Sequence, residues 1–312
     1  MKPIHWRSKI LLAAVEATYG TDAAPDAATD AVLMTQVQLS PMEGTDVDRD
    51  LELPYLGSQG TIPAELHMRL SFRVELEPSG TAGTPPAWGG LMRGCALAEV
   101  VVANTSVTYN PVTDDHESLT LKMYVGETLY VSTGARGNCM IRVDAQGIPY
   151  LEFAFTGLWA PASEAARPGA VDLSAYEAPK VASSRNTPVF TIDGTPLVMR
   201  SFALDLGNQV EPRFLVGSER IIIADRADAI TTTVEAVPLT TLDPYALAEE
   251  TERVPVVLQH GTDAGRIATL TAPRAQMQRP QGLSAAQGIT EWPLRMVPVP
   301  EVGNDQWMLE LT

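Results

Sequence analysis

The chain is poor in the residues from which catalytic and metal sites are built. It has two cysteines, Cys95 and Cys139, without a CxxC spacing, and four histidines without an HxxxH pair. A disulfide scaffold and a zinc site are therefore not expected, and both cysteines are predicted to be buried and reduced. No GxSxG elbow, P-loop or GxGxxG motif occurs, and no nucleophile or acid–base pair emerges. The sequence indicates a protein that is not an enzyme and that holds no cofactor and no metal ion.

Basic residues are also scarce. The 22 Lys and Arg stand against 38 Asp and Glu, which gives a formal net charge of −16. This balance argues against a protein that grips nucleic-acid phosphate. A negative surface serves solubility, and it also suits a surface past which DNA must slide, so both interpretations stay open.

Long apolar runs are missing as well. Residues 10–15 follow three basic residues, but Glu16 ends the run below the length of a signal core. No other stretch approaches the length that spans a bilayer. We therefore expect a protein that is made and used without crossing a membrane.

The sequence repeats itself in two blocks. Residues 147–156 match residues 303–312, and a longer ungapped run matches at nearly the same offset. Its paired positions are Leu56-Gly57-Ser58 with Val216-Gly217-Ser218, and Ile62, Ala64, Leu70, Val74, Glu75 and Pro78 with Ile222, Ala224, Ile230, Val234, Glu235 and Pro238. Chance likeness between strand-rich segments is the alternative, but the fixed spacing favours a tandem duplication, with one domain in residues 1–160 and a similar one in 161–312.

Hydrophobic periodicity predicts a mainly β fold. Residues 66–76 alternate apolar and polar side chains, and similar strands recur in both halves. We predict two similar β-sandwich or barrel domains, each with a short packed helix, at 87–97 and 243–252. Residues 4–18 have helix-compatible spacing, and the small acidic residues that follow predict an extended N-terminal arm. Residues 41–63 are predicted to form a long acidic loop, with a shorter counterpart at 205–218.

Three segments of the first half resemble a known family, the tail tube (major tail) proteins of long-tailed bacteriophages. These segments are residues 9–22 with Pro25, residues 39–44 (LSPMEG), and residues 79–86 (SGTAGTPP) with Leu91 and Arg93. The resemblance implies a structural virion protein whose strands join those of its neighbours in an inner β-barrel. Stacked rings then form a hollow tube that conducts double-stranded DNA into the host.

The resemblance also implies partners and a location. The chain would associate with itself, with a tape measure protein, and with tail terminator and distal tail proteins, while DNA passes without specific contact. It would be assembled in the bacterial host cytoplasm and reside in the phage tail. A duplicated chain is expected to form trimeric rings with pseudo-sixfold symmetry, and a hexamer is the alternative.

Two sets of acidic residues are candidates for roles in such a tube. The long loop and the N-terminal arm would reach the next ring, and polar strand faces would line the lumen. The candidates for inter-ring contact are Glu43, Asp46, Asp48, Asp50 and Glu52, and those for the lumen are Glu65, Glu75, Glu77, Glu235 and Glu310. For each lumen candidate, an outer-surface or inter-subunit position is the alternative.

A function of another class also fits a β-sandwich. The chain could be a binding or adhesion module of a phage tail tip. Such a module needs exposed aromatic platforms, but aromatic residues are only 6% of the chain and most fall on apolar strand faces. Tail tube assembly is therefore the preferred interpretation.

Overall fold

Strands form most of the computed structural model, which describes residues 4–312. The first half contains β1 (Lys9–Val15), β2 (Ala31–Val32), β3 (Thr35–Asp48), β4 (Thr61–Glu75), α1 (Gly89–Arg93), β5 (Leu97–Val102), β6 (Ser106–Pro111), β7 (Leu119–Val125), β8 (Thr128–Asp144) and β9 (Tyr150–Trp159). The second half contains β10 (Ser163–Glu164), β11 (Val189–Ile192), β12 (Thr195–Pro196), β13 (Met199–Asp205), β14 (Asn208–Leu215), β15 (Ser218–Arg226), β16 (Ala229–Glu235), α2 (Pro244–Glu249), β17 (Arg253–His260), β18 (Ala268–Met277), β19 (Ser284–Ala286), β20 (Ile289–Pro298) and β21 (Met308–Leu311). The predicted mainly β fold with one short helix in each half is confirmed.

All strands except β14 and β15 belong to one continuous sheet, which folds into two layers, and every pairing is antiparallel. Layer A runs in the order β3, β4, β9, β8, β13, β16 and β20, and ends with β19 on the outer side of β20. Layer B contains β2, β1 and β7 on one side and β5, β6, β21, β18, β17, β11 and β12 on the other. The halves are joined in both layers, through β8 with β13 and through β6 with β21.

The same series of pairings occurs in each half. In the first half β2 pairs with β1, β1 with β7, β7 with β8, β8 with β9, β9 with β4, and β4 with β3. The second half repeats this series. β12 pairs with β11, β11 with β17, β17 with β18, β18 and β19 with β20, β20 with β16, and β16 with β13. The hairpin formed by β14 and β15 extends β13 and β16, as the distal half of the β3–β4 hairpin extends its own strands.

The second block of the sequence match does not follow this series. Residues 147–156 include most of β9, which lies beside β4, whereas residues 303–312 contain β21, which lies between β18 and β6. The strand that takes the position of β9 is β20, because it pairs with β16. The sequence match of this block rests on an apolar alternation and a terminal Thr, which are common to many strands. It therefore aligned β9 with β21, which are not equivalent in the fold.

The core lies between the layers and runs through both halves as one cluster. Phe72 of β4 packs against Phe153 and Phe155 of β9, with ring centroids 5.6 and 6.0 Å apart. Trp88, next to α1, packs against Tyr109 of β6. Each such buried aromatic side chain contributes about 2 kcal/mol from its apolar area. Both cysteines are buried and free, and burial raises the pKa of the Cys95 and Cys139 thiols.

The predicted helix at residues 4–18 is wrong, because Lys9–Val15 form β1, which pairs along its whole length with β7. Leu11 faces the main core, and Leu12 faces a second small cluster with Ala27 and Ala31. A strand that is buried on both faces does not alternate, so its pattern cannot be told from that of a helix.

The predicted arm is folded against its own chain. Ala27 and Ala31 are buried with Leu12, and the Ala23 N–H donates to Thr120 Oγ1 at 3.0 Å. These contacts order the segment without a neighbour. The part of the arm in residues 1–3 lies outside the described residues.

The predicted loop at residues 41–63 is largely a β-hairpin. β3 continues to Asp48 and β4 begins at Thr61, with these two residues opposite each other. Bulges interrupt the register between Ser40 and Glu43 and again between Glu43 and Thr45. A bulge inserts an extra residue, which destroys the alternation that marks a strand in the sequence. Only residues 49–60 connect the strands, and the predicted counterpart at 205–218 likewise contains β14.

Candidate assembly surfaces

The two long hairpins differ in what they contact. We call residues 41–66 the first hairpin and β14 with β15 the second hairpin. The second hairpin lies on β8, β9 and β4 of the first half. Its Phe214 ring lies 6.5 Å from the His67 ring at the base of the first hairpin. Within the described chain, no neighbouring unit lies against the first hairpin in this way. The tip of the first hairpin carries exposed apolar side chains, with Tyr55 68% and Leu56 103% exposed.

Asn208, at the base of the second hairpin, anchors it to the first half. Its side-chain N–H groups donate to the carbonyl oxygens of Cys95 at 2.8 Å and Gly137 at 3.0 Å. Its backbone N–H donates to Asn138 Oδ1 at 3.0 Å. Arg226 completes this anchor by donating to Asn208 Oδ1 and to the Ala96 carbonyl. Because Asn208 is buried, each of these bonds replaces a lost contact with water.

The middle of the second hairpin rests on Tyr19 and Arg136. The Ile221 N–H donates to the Tyr19 hydroxyl at 2.6 Å, and Arg136 Nη1 donates to the Ile221 carbonyl at 3.0 Å. The Arg136 guanidinium also lies 5.0 Å from the centre of the Tyr19 ring. Burial raises the pKa of Tyr19, so its hydroxyl keeps its proton at neutral pH. Ile221 is fully buried by this contact.

A buried carboxylate orients the segment that contains Tyr19. Glu16 accepts from the backbone N–H groups of Gly20 at 2.7 Å and Gly134 at 2.8 Å. It also accepts from the hydroxyls of Ser118 and Thr120. Sequence reasoning assigned no role to Glu16 or Tyr19, although both fall in one of the segments that carry the family resemblance. The signal that could have found them is an acidic residue next to an apolar run, because a buried carboxylate requires donors.

The junction between the halves in layer A shows how two units join. Leu204 of β13 lies opposite Ile141 of β8, and both are buried. Asn138 Nδ2 donates to Asp205 Oδ1 at 2.7 Å beside them. At the two ends of layer A, β3 pairs only with β4 and β19 only with β20 among the strands of residues 4–312. Leu283, just before β19, is 62% exposed, whereas Ile141 at the matching position of the junction is 1% exposed.

The polar face of layer A carries both signs of charge, with arginines held by carboxylates. Arg73 Nη2 lies 2.7 Å from Glu152 Oε1, and Arg142 Nε lies 3.1 Å from the same oxygen. Arg200 Nε donates to Glu291 Oε1 at 2.7 Å, and this bond raises the pKa of Arg200. The lumen candidates named from the sequence are all acidic, whereas this face also carries basic side chains. Paired arginines remain weak anchors for phosphate, because their donors are already engaged.

The candidates for inter-ring contact all lie on the first hairpin. Glu43 pairs with Arg69, with a 3.2 Å distance from Oε2 to Nε. Asp46 and Asp48 lie on the distal part of β3, and Asp50 and Glu52 lie in the connection at the tip. They follow one another along the hairpin and do not converge on a common point. Among residues 4–312, no group of three or more His, Cys, Asp or Glu side chains is arranged to hold a metal ion.

The lumen candidates are dispersed. Glu75 and Glu235 lie at matching positions of β4 and β16 on the polar face of layer A, and burial raises the pKa of Glu75. Glu65 lies near the base of the first hairpin and is exposed. Glu77 is buried within the chain, and its carboxylate accepts from the Lys180 N–H at 2.7 Å. Glu310 lies on β21 in layer B, away from the other candidates.

Comparison with known proteins identifies a family. A family model described as phage tail tube protein matches residues 6–292. None of the curated proteins compared with the chain matches it. No helix in the described range 4–312 is long and apolar enough to cross a membrane. Since the family model covers nearly the whole chain, the protein belongs to the phage tail tube family and is a structural component of a viral tail that assembles with itself into a tube.

Proposed function

We propose that three copies of this chain close a ring, that rings stack into the tail tube, and that double-stranded DNA passes through its lumen into the host. The observation that carries this proposal is the junction of β8 with β13. It joins two similar units within one chain, while the matching edges at β3 and β19 stay free. A free strand edge is a template for pairing with another chain.

The register of the junction supports a specific closure. Leu39 of β3 lies opposite Leu70, as Leu204 of β13 lies opposite Ile230. Leu283 occupies the place of Ile141 when the turns that follow β8 and β19 are superposed. A neighbouring copy would therefore place its Leu39 against Leu283, which buries the exposed Leu283 side chain. Each chain then offers one free edge of each kind, so the contact is heterologous and can close a ring.

The size of such a ring suits a DNA channel. Each copy adds roughly eight neighbouring strands in layer A, so three copies form a barrel of about 24 strands. At a strand spacing of about 4.8 Å, the distance between opposite backbones is at least about 37 Å before strand tilt widens it. Barrels of about 16 to 18 strands already leave an aqueous channel. We place the polar face of layer A in the lumen. Its paired arginines and the net negative charge offer no strong binding site for DNA phosphates, so DNA can slide through.

The repeated pairings support a tandem duplication, which would give the trimer its pseudo-sixfold symmetry, with a unit boundary near residue 160. We further propose that the tip of the first hairpin, with Asp50, Glu52 and the exposed Tyr55 and Leu56, contacts the next ring. A tape measure protein, a tail terminator and a distal tail protein complete the assembly in the bacterial cytoplasm.

The test is negative-stain electron microscopy of the purified protein, with its mass measured by light scattering before and after concentration. Hollow stacked rings with three chains each are the expected result. Rings with six chains would keep the tube and overturn the trimer. A strict monomer at high concentration would overturn the assembly proposal and favour a binding module of the tail tip.

A further inference from the structure

The seated second hairpin shows how a hairpin of this kind lies on the unit beside it. It lies on a first-half unit of its own chain, through β14 and β15 against β8 and β9. The first hairpin has the same place in its own unit, but the unit that it would cover is not part of its chain. In a closed ring, that unit is the second half of the adjacent copy.

The strand registers identify which residue of the first hairpin takes each place. Val210 lies opposite Ile223 in the second hairpin. Asp46 lies opposite Pro63 in the first hairpin. Because Ile222 and Ile62 match in the repeat, the residues that follow them also match, and Asp46 takes the place of Val210. The first hairpin thus presents a carboxylate where the second presents an apolar side chain.

The same comparison identifies the residue on the covered unit. Ala154 of β9 lies opposite Ser71 of β4. Arg295 of β20 lies opposite Thr231 of β16, which matches Ser71. Arg295 therefore takes the place of Ala154. Its side chain is exposed, and no ion pair holds it among residues 4–312.

Val210 and Ala154 line one cleft of about 420 Å³ within the chain, together with Asn138 and Asn208. When each is replaced by its counterpart, a pair of apolar side chains becomes a carboxylate and a guanidinium in one cleft. Both charged side chains are exposed and close to the edge where the copies would join, so the charges are complementary without any rearrangement of the strands.

We propose that the first hairpin of each copy lies across β18 and β20 of the adjacent copy in the same ring, where Asp46 forms an ion pair with that copy's Arg295. This inference rests on the proposed ring. It assigns the shaft of the first hairpin to the lateral neighbour and leaves only the tip, residues 49–60, for the next ring. The hairpin then acts as a clamp that adds to the strand pairing at the ring edge.

Charge reversal tests the ion pair. Asp46→Arg and Arg295→Asp are each expected to weaken ring formation, by up to about fivefold for each contact, and the double variant should recover it. Asp50→Arg is the matched control, because Asp50 lies at the tip, and Arg295→Asp should not rescue it. Ring formation is followed by sedimentation and by counting rings in micrographs, with the full chain throughout. Independent effects of the two substitutions would overturn the ion pair.

Cross-linking tests the clamp separately from its charge. Asp46 takes the place of Val210 and Arg295 that of Ala154, and within the chain these two counterparts line one cleft. A short thiol-reactive cross-linker added to a mixture of the Asp46→Cys and Arg295→Cys variants should link two chains into a covalent dimer. The control is the Ala154→Cys/Val210→Cys double variant, which should be cross-linked within one chain. The native cysteines are buried and do not compete.

The outcomes separate the clamp from the ring. If rings form but neither the charge rescue nor the cross-link appears, the clamp is wrong and the tube function stands. If the wild-type chain forms no rings at any concentration, the proposed assembly fails and the clamp with it. A cross-link between Asp46→Cys of one ring and Arg295→Cys of a stacked ring, seen only in tubes and not in single rings, would also overturn the lateral contact.

Discussion

The second hairpin lies on a unit of its own chain, whereas the first hairpin, with a matching register, extends from the molecule with its acidic and apolar side chains exposed. The same contrast holds at the strand edges, where Ile141 is buried by β13 and Leu283 is bare. Within one chain, each surface thus occurs once with its partner and once without it. The seated surface gives the geometry of the contact, and the bare one indicates where another copy belongs.

The largest expected effect concerns the strand edges, where Ile141 is buried and Leu283 is exposed. Ile141→Asp buries an unpaired charge in the junction and should lower the free energy of unfolding by more than about 4 kcal/mol. Leu283→Asp places the same charge on a bare edge, so the monomer should lose less than about 0.5 kcal/mol but should no longer form rings. Urea unfolding and light scattering of both variants give these two quantities.

The contrast would fail in either of two ways. A large loss of monomer stability for Leu283→Asp would mean that this edge is already packed. Normal rings from the same variant would mean that closure uses a different edge. Val302→Asp, at an exposed position outside both hairpins, is the control for an added surface charge.

A smaller effect concerns the seat of the second hairpin. Glu16→Ala removes the acceptor of four hydrogen bonds, two from backbone N–H groups and two from hydroxyls. The buried donors left without a partner should cost about 3 kcal/mol of unfolding free energy. The measurement is the midpoint of chemical unfolding, with Glu52→Ala at the tip as the control. Equal midpoints for the two variants would show that Glu16 does not orient this segment.

The contact between the seat and the hairpin can be weakened without disturbing Glu16. Tyr19→Phe removes only the hydroxyl that accepts from the Ile221 N–H, which should cost about 1 kcal/mol. Hydrogen exchange at β15 should then speed up, while β4 exchanges at its former rate. Tyr55→Phe serves as the control because Tyr55 is exposed. Unchanged exchange in β15 would mean that the Tyr19 hydroxyl does not hold the hairpin, which then rests on Arg136 and on the anchor at Asn208.

Hydrophobic periodicity predicted the strands that bury one face. The prediction failed for strands that bury both faces or contain bulges. β4 alternates along its core-facing part and was recognised, whereas β1 is buried on both faces and resembled a helix. The bulges in the first hairpin removed the alternation of β3 and made a hairpin look like a loop. The tube function was predicted from the family resemblance, because no strand pattern in the sequence distinguishes a free strand edge from a paired one.

The residues of the seat could not be predicted from sequence alone. Tyr19 and Ile221 are separated by 202 positions, and neither has an unusual local context. The exposure of Leu283 was equally invisible, because it depends on which strand lies beside β19. Contacts of this kind are set by topology, and only the assembled strand order shows them.

The smallest expected effect is the response of β17 to acid. His260 ends β17 in the second half, where Val125 ends β7 in the first. Burial lowers the pKa of His260, and its Nδ1 hydrogen-bonds the Thr187 hydroxyl. Because the folded state disfavours the proton, stability is full above the ordinary histidine pKa of about 6.5 and declines as pH falls below it.

Unfolding midpoints of the wild type and of His260→Gln at pH 7.5 and 5.5 test this, with His5→Gln as the exposed control. The wild type should lose more stability than His260→Gln, and hydrogen exchange should accelerate in β17. An equal loss in both proteins would assign the acid response to groups outside β17.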